Sequence, residues 1–204
     1  MTILADSMGD KKAVEHQRGV LVGGYKVGKS WTLATAPDPV LILDTDQRAA
    51  SLSGKKGVYT LTPYDPPGLG VQPTIYSEVL DLVGKIEKSR RLGDINPKFA
   101  SDPRANEEIK TLGLDSVQSM SRNILRYNMY TNPKELARTI KVGGQTLFFP
   151  SGWDTWNSDI ECLEQLVARL TALSESAGID FWMTFHESDE NGKIDLFPGR
   201  HRQL

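Results

Sequence analysis

The sequence predicts an α/β fold, a mostly parallel sheet with helices on both faces. Three observations predict it. Short apolar runs alternate with helical patterns along the chain, the layout of consecutive strand–helix units. A strand, a glycine-rich loop and a short helix follow one another within residues 19–36. The apolar runs at 40–44, 109–115 and 179–185 each lead into an acid or a histidine. In a parallel sheet such residues collect at the carboxyl ends of the strands, where these folds bind ligands.

The elements follow in order. Val20, Leu21 and Val22 make the first strand, 19–23, and residues 30–36 a short helix stopped by Pro37. Val40-Leu-Ile-Leu-Asp44 is a continuous apolar run, the pattern of a strand covered on both faces, and 57–62 is a further strand. Residues 74–89 predict a helix, with Val79, Leu82, Val83 and Ile86 at helical spacing after Pro73 and a Thr74 cap. Residues 90–108 hold Gly93, Pro97, Pro103 and several charges, and predict a mobile loop. A strand at 109–115 and a helix at 116–130 come next, then a short helix over 133–140 capped by Asn132. Gly143-Gly144 and 146–149 predict a small hairpin. The clearest helix is 158–177, where Ile160, Leu163, Val167 and Leu170 form a core stripe widened by Leu166 and Leu173. The strand at 179–185 closes the set. Residues 1–204 read as a single domain with an insertion at about 116–158 and an abrupt C-terminus.

Composition excludes several function classes. Twenty-four Lys and Arg meet 26 Asp and Glu, for a net charge of -2. That argues against a strongly basic nucleic-acid coat and against an acidic tail, and leaves nucleic-acid binding to a local patch. One cysteine, Cys162, excludes an internal disulfide framework and a cysteine-based zinc site. It reads as a small buried hydrophobe. No apolar run is long enough for a bilayer, and residues 1–17 lack the apolar core of a signal peptide. A cytoplasmic setting with no membrane partner is the expectation.

Gly23, Gly28, Lys29 and Ser30 satisfy G-x-x-x-x-G-K-[ST], the P-loop. Glycines allow the backbone to turn tightly and approach a phosphate closely, and successive amides then face the anion. Lys29 reaches the β and γ phosphates, and Ser30 offers a hydroxyl to Mg²⁺. The predicted ATP-binding set is Gly23, Gly24, Tyr25, Lys26, Val27, Gly28, Lys29, Ser30 and Trp31. Asp115 is the candidate second Mg²⁺ carboxylate, acting through water, and it also reads as the cap of the following helix; both can hold. Asp44 and Asp46 share a side if their strand continues that far. Asp46, at the tip, is the candidate to polarise an attacking water, against a loop or cap role. His186 is a candidate γ-phosphate contact, against a plain loop hydrogen bond. The candidate catalytic set is Lys29, Asp46, Asp115 and His186, with Ser30 and Asp115 at the metal.

Five features taken together resemble the RecA-like P-loop ATPases. They are GGYKVGKS, the short helix ending at Ala36-Pro37, LILDTD, LGLDS, and FWMTFHES followed by Gly192-Lys-Ile-Asp-Leu-Phe-Pro-Gly199. Within that superfamily the likeness is to small phage nucleotide-binding proteins of single-strand annealing and recombination, and it spans 19–199. The resemblance implies Mg²⁺-dependent ATP hydrolysis coupled to the handling of DNA, single-stranded DNA foremost, in the host cytoplasm. It maps the water-handling acid onto Asp46, where the family usually has Glu, and the polar residue after the sensor strand onto His186. It also implies a strand order, with 179–185 between 19–23 and 109–115, and with 40–44 and 57–62 beyond.

The insertion carries Arg122, Arg126, Lys134, Arg138, Lys141, Trp153 and Trp156. Basic residues with aromatics suit single-stranded nucleic acid, although a solvated face is the commoner reason for such a cluster, and the two tryptophans read first as packing anchors. Lys85, Lys88, Arg90 and Arg91 sit at a helix C-terminus, where the dipole favours cations. Arg200 and Arg202 would serve a neighbour's nucleotide if the chain forms a homo-oligomer. Two other function classes stay open: a small-molecule phosphotransferase, for which no arginine-rich lid is found, and a nucleotide-binding structural or packaging-motor component.

Overall fold

The computed structural model describes residues 16–65 and 71–187. The 192–199 passage, Arg200 and Arg202 lie outside them. In chain order the elements are β1 (Arg18–Gly23), α1 (Lys29–Leu33), β2 (Val40–Asp44), β3 (Val58–Leu61), α2 (Ile75–Lys88), α3 (Leu92–Ile95), β4 (Thr111–Asp115), α4 (Val117–Thr131), α5 (Pro133–Leu136), β5 (Ala137–Val142), β6 (Gln145–Pro150), α6 (Trp153–Ala177) and β7 (Asp180–His186). A five-stranded sheet runs β1-β7-β4-β2-β3, with every pairing parallel. This is the α/β fold and the strand order expected above.

Alternation along β2 divides the core in two. Val40 and Ile42 join Leu33 and Ala34 of the α1 segment on one face. Leu41 and Leu43 face the other way, into a larger cluster with α2, α4 and α6. All four β2 side chains are fully buried, each worth about 1.5–3 kcal/mol of apolar transfer. The close seat of α1 depends on Gly113 of β4. A Cβ there would lie 2.4 Å from a Leu33 methyl, so only glycine lets the helix settle this near the sheet. That seat fixes where Lys29 and Ser30 stand over the strand ends.

Several expectations are corrected. The helix expected over 133–140 stops at Leu136. Leu136 and Ile140 match helical spacing, but Ala137–Val142 pairs antiparallel with Gln145–Pro150. Gly143 and Gly144, at φ 57° and 82°, supply the left-handed pair that a two-residue hairpin turn requires. The hairpin is therefore a full ribbon. The long helix begins at Trp153 rather than 158. The 90–108 passage is not a plain loop: it carries α3, with Leu92 and Ile95 fully buried, and Arg104 pairs with Asp38 at 2.8 Å and Glu107 at 2.7 Å. Trp153 is 59% exposed, so it is no packing anchor.

The α2 N-terminus is capped from a distance. The Asp65 carboxylate accepts from the amides of Thr74 (2.7 Å) and Ile75 (3.1 Å), and the Thr74 side chain makes no cap bond. Among the described residues no helix is long and apolar enough to cross a membrane.

Candidate active site

Parallel register brings the strand ends level. Gly23 lies opposite His186, and Asp44 opposite Asp115. The loop after β1 turns through Lys26 at φ 61° and Gly28 at φ 92° before α1 begins. The left-handed angle at Gly28 is strained for any residue with a side chain, and such turns build the concave amide cradles that hold anions.

Lys29 is 9% exposed, and its ammonium spends three donors inside the protein. It donates to the carbonyls of Gly23 (2.8 Å) and Gly24 (2.7 Å) and to Nδ1 of His186 (3.1 Å). Burial lowers its pKa, and the charges of Asp115 and Asp46 oppose that shift. With Nδ1 accepting, the imidazole carries its proton on Nε2, which donates to Asp46 Oδ2 at 3.0 Å. Ser119 donates to the other Asp46 oxygen. Burial pushes the Asp46 carboxyl up, but the bonds from Ser119 and His186, with help from Arg48, more than offset it and hold the group below the usual carboxylate range.

Asp115 is buried and doubly engaged. Ser30 Oγ donates to one oxygen and Thr184 Oγ1 to the other, both at 2.5 Å. It does not cap α4: the N-cap is Ser116, whose hydroxyl accepts from the Ser119 amide. Asp44 turns away from this group. β2 ends at Asp44, so the shared side expected for Asp44 and Asp46 is not formed. Asp44 instead accepts from the amides of Arg48 and Ala49 and from Thr62, which fixes the turn after its strand.

A cleft of about 560 Å³ joins Tyr25–Trp31 to Asp46, Arg48, Ser51, Asp115 and His186. Lys29, Ser30, Asp46, Asp115 and His186 thus meet at one place, although they come from four separate stretches of chain. A family model described as an AAA domain matches residues 15–194.

The chain belongs to the AAA domain family.

That membership makes it a P-loop domain of the ATPase type. No match to a curated protein accompanies it. In this AAA domain the described structure adds three polar residues to the site that the sequence reading passed over. Thr184 and Ser119 hold the two carboxylates, and buried Gln118 donates to the His186 carbonyl at 2.9 Å, fixing the end of β7. One signal for Thr184 was present: it stands two residues before His186, hence on the same side of the strand. The stack of Tyr25 on His186, with ring centroids 4.5 Å apart, was equally outside sequence reasoning.

Proposed function

We propose that this AAA domain binds ATP with Mg²⁺ and hydrolyses it, and that hydrolysis is coupled to handling single-stranded DNA in phage-type recombination or replication. The observation that carries the nucleotide half is the meeting of Lys29, Ser30, Asp115, Asp46 and His186 beside the P-loop. The donor chemistry fits the metal. Ser30 and Asp115 present hard oxygens 2.5 Å apart, and Mg²⁺ takes few protein oxygens because phosphates and water complete its shell. Among the described residues no three His, Cys, Asp or Glu side chains gather as a transition-metal site would require. Ser30 would hold the ion directly and Asp115 through water, and the ion would neutralise charge on the β and γ oxygens.

The protein's own residues then divide the work. Lys29 leaves the Gly23 and Gly24 carbonyls and takes up phosphate oxygens. Asp46 orients a water, whose oxygen bonds to the γ-phosphorus as the bond to the β–γ bridging oxygen breaks. Ser119 and His186 keep the Asp46 carboxylate aimed. Because His186 touches both Lys29 and Asp46, it is placed to respond when the phosphate is lost.

The β5–β6 ribbon, within the 116–158 insertion, supports the DNA half. Phe148 packs on Tyr130, so the opposite face of the ribbon carries Arg138, Ile140, Leu147 and Phe149. Ile140 is 53% and Phe149 45% exposed. Residues 137–150 include Arg138 and Lys141 and no acid. Exposed aromatic and cationic side chains on one ribbon suit a polyanion with unstacked bases. The test is the ATP hydrolysis rate without DNA, with single-stranded DNA and with duplex. Stimulation by single strands is expected. Hydrolysis no higher than that of Lys29→Ala with any of them overturns the enzyme reading, and stimulation by duplex alone overturns the choice of partner.

A further inference from the structure

We propose that Trp31 is the stacking platform for the nucleotide's base. The inference rests on the nucleotide reading above and adds where the base lies. The groups suited to phosphates, Lys29, Ser30 and Asp115, occupy one part of the cleft, and its walls continue to Trp31, Arg48 and Ser51. A triphosphate anchored at Lys29 leaves its ribose and base to run along that wall. Of the described residues that line the cleft, the aromatic ones are Tyr25, Trp31 and His186. His186 is held at both ring nitrogens and covered by Tyr25. Tyr25 is itself engaged twice, by the His186 ring and by the Arg48 guanidinium 5.3 Å from its centroid.

Trp31 is as exposed as Tyr25, both at 51%, but its ring has one such contact where that of Tyr25 has two. It follows Ser30 directly on α1. The helix anchors itself to the core through Leu33 instead, which is 1% exposed. Lys55 stands over the indole, its Nζ 4.8 Å from the ring centroid. An indole half in solvent, beside a cation and a phosphate cradle, offers a flat surface of the size of a purine. Stacking reads the area of a base rather than its hydrogen-bonding edge. The ligand class is therefore a purine nucleoside triphosphate, with pyrimidine nucleotides weaker.

The experiment is calorimetric binding of ATP, CTP and inorganic tripolyphosphate, each with Mg²⁺, to the wild type, Trp31→Phe and Trp31→Ala. Trp31→Ala should weaken ATP roughly tenfold or more and shrink the preference for ATP over CTP, while tripolyphosphate binds as before. Trp31→Phe should recover most of the ATP affinity. Unchanged ATP affinity in Trp31→Ala, or equal losses for ATP and tripolyphosphate, overturns the platform. A wild type that binds neither ATP nor tripolyphosphate overturns the nucleotide reading itself, and the platform with it.

Discussion

The ammonium of Lys29 lies 3.1 Å from Nδ1 of His186, a residue 157 positions further along the chain. Together with the two glycine carbonyls, this contact uses every donor the lysine has. On the proposed function, a phosphate taken up by Lys29 would exchange internal partners for external ones and would cost the imidazole its lysine. Nucleotide occupancy would then be felt at Asp46, on the far side of the ring.

Lys29→Ala removes the cation from the cradle. Hydrolysis should fall by roughly 10²–10³-fold or more, the scale of losing one preorganised charge stabiliser. The measurement is steady-state phosphate release with Mg²⁺, beside a circular dichroism spectrum that shows the fold retained.

Ser119→Ala tests how Asp46 is tuned. In the wild type the bonds from Ser119 and His186 overcome the effect of burial, so the carboxyl stays ionised well into acid. The acidic limb of kcat should lie below the ordinary carboxylate range. Without the Ser119 bond less opposes burial, and that limb should move to higher pH. A uniform loss of kcat at all pH values, with the limb unmoved, would leave Ser119 a packing role only. Asp46→Asn should lower kcat by about 10²–10⁴-fold with nucleotide affinity kept.

Asp159 predicts a pH dependence of stability. It is buried on α6 and accepts from Ser121 of α4 at 2.8 Å. Burial pushes its pKa up to about 6, against a smaller opposing effect of the Ser121 bond. Between the unfolded value of 3.8 and about 6 the native chain keeps a proton that the unfolded chain has lost. This contribution is complete below the lower value and is lost as pH rises through the upper one. Asp159→Asn should flatten the dependence and add roughly 1–3 kcal/mol above pH 6. Urea unfolding on both sides of that window measures it, and an unchanged difference between the two variants would refute it.

These tests rest on residues of uneven legibility. Lys29, Ser30 and Asp115 could be read because each sits in a local pattern: a glycine loop, or an acid at the end of an apolar run. The strand order was readable for the same reason, through the likeness those patterns carry. Ser119 was not, because what it touches depends on the turn of α4, and Thr184 showed only its side of the strand, because its reach to Asp115 depends on the register of β7 beside β4. Ala137–Val142 misled because Leu136 and Ile140 satisfy helical spacing, while the pairing that makes them strand lies across the turn. Leu92 and Ile95 escaped because a helix of four residues is too short to show a period.

Gly113→Ala tests the seat of α1. A new methyl would press on Leu33 in a closed core, at a cost of about 1–3 kcal/mol. Displacing α1 carries Lys29 and Ser30 with it, so nucleotide affinity should drop alongside the melting temperature. Calorimetry and thermal unfolding on the same sample read both.

Arg138→Ala tests the ribbon. If Arg138 meets a phosphate, single-stranded DNA affinity should fall and the slope of log K against log salt should flatten by about 0.7. An unchanged slope would take Arg138 out of the contact.

The place of β7 in the sheet bears on how the protein is made. β1 leaves the ribosome first among the described strands, and β7, its parallel neighbour, leaves last. Until β7 is synthesised, β1 and β4 lack their shared neighbour, Lys29 lacks His186 and Asp115 lacks Thr184. These contacts and the completion of the sheet thus arrive together. A nascent chain released before β7 carries the whole P-loop sequence without the site it belongs to.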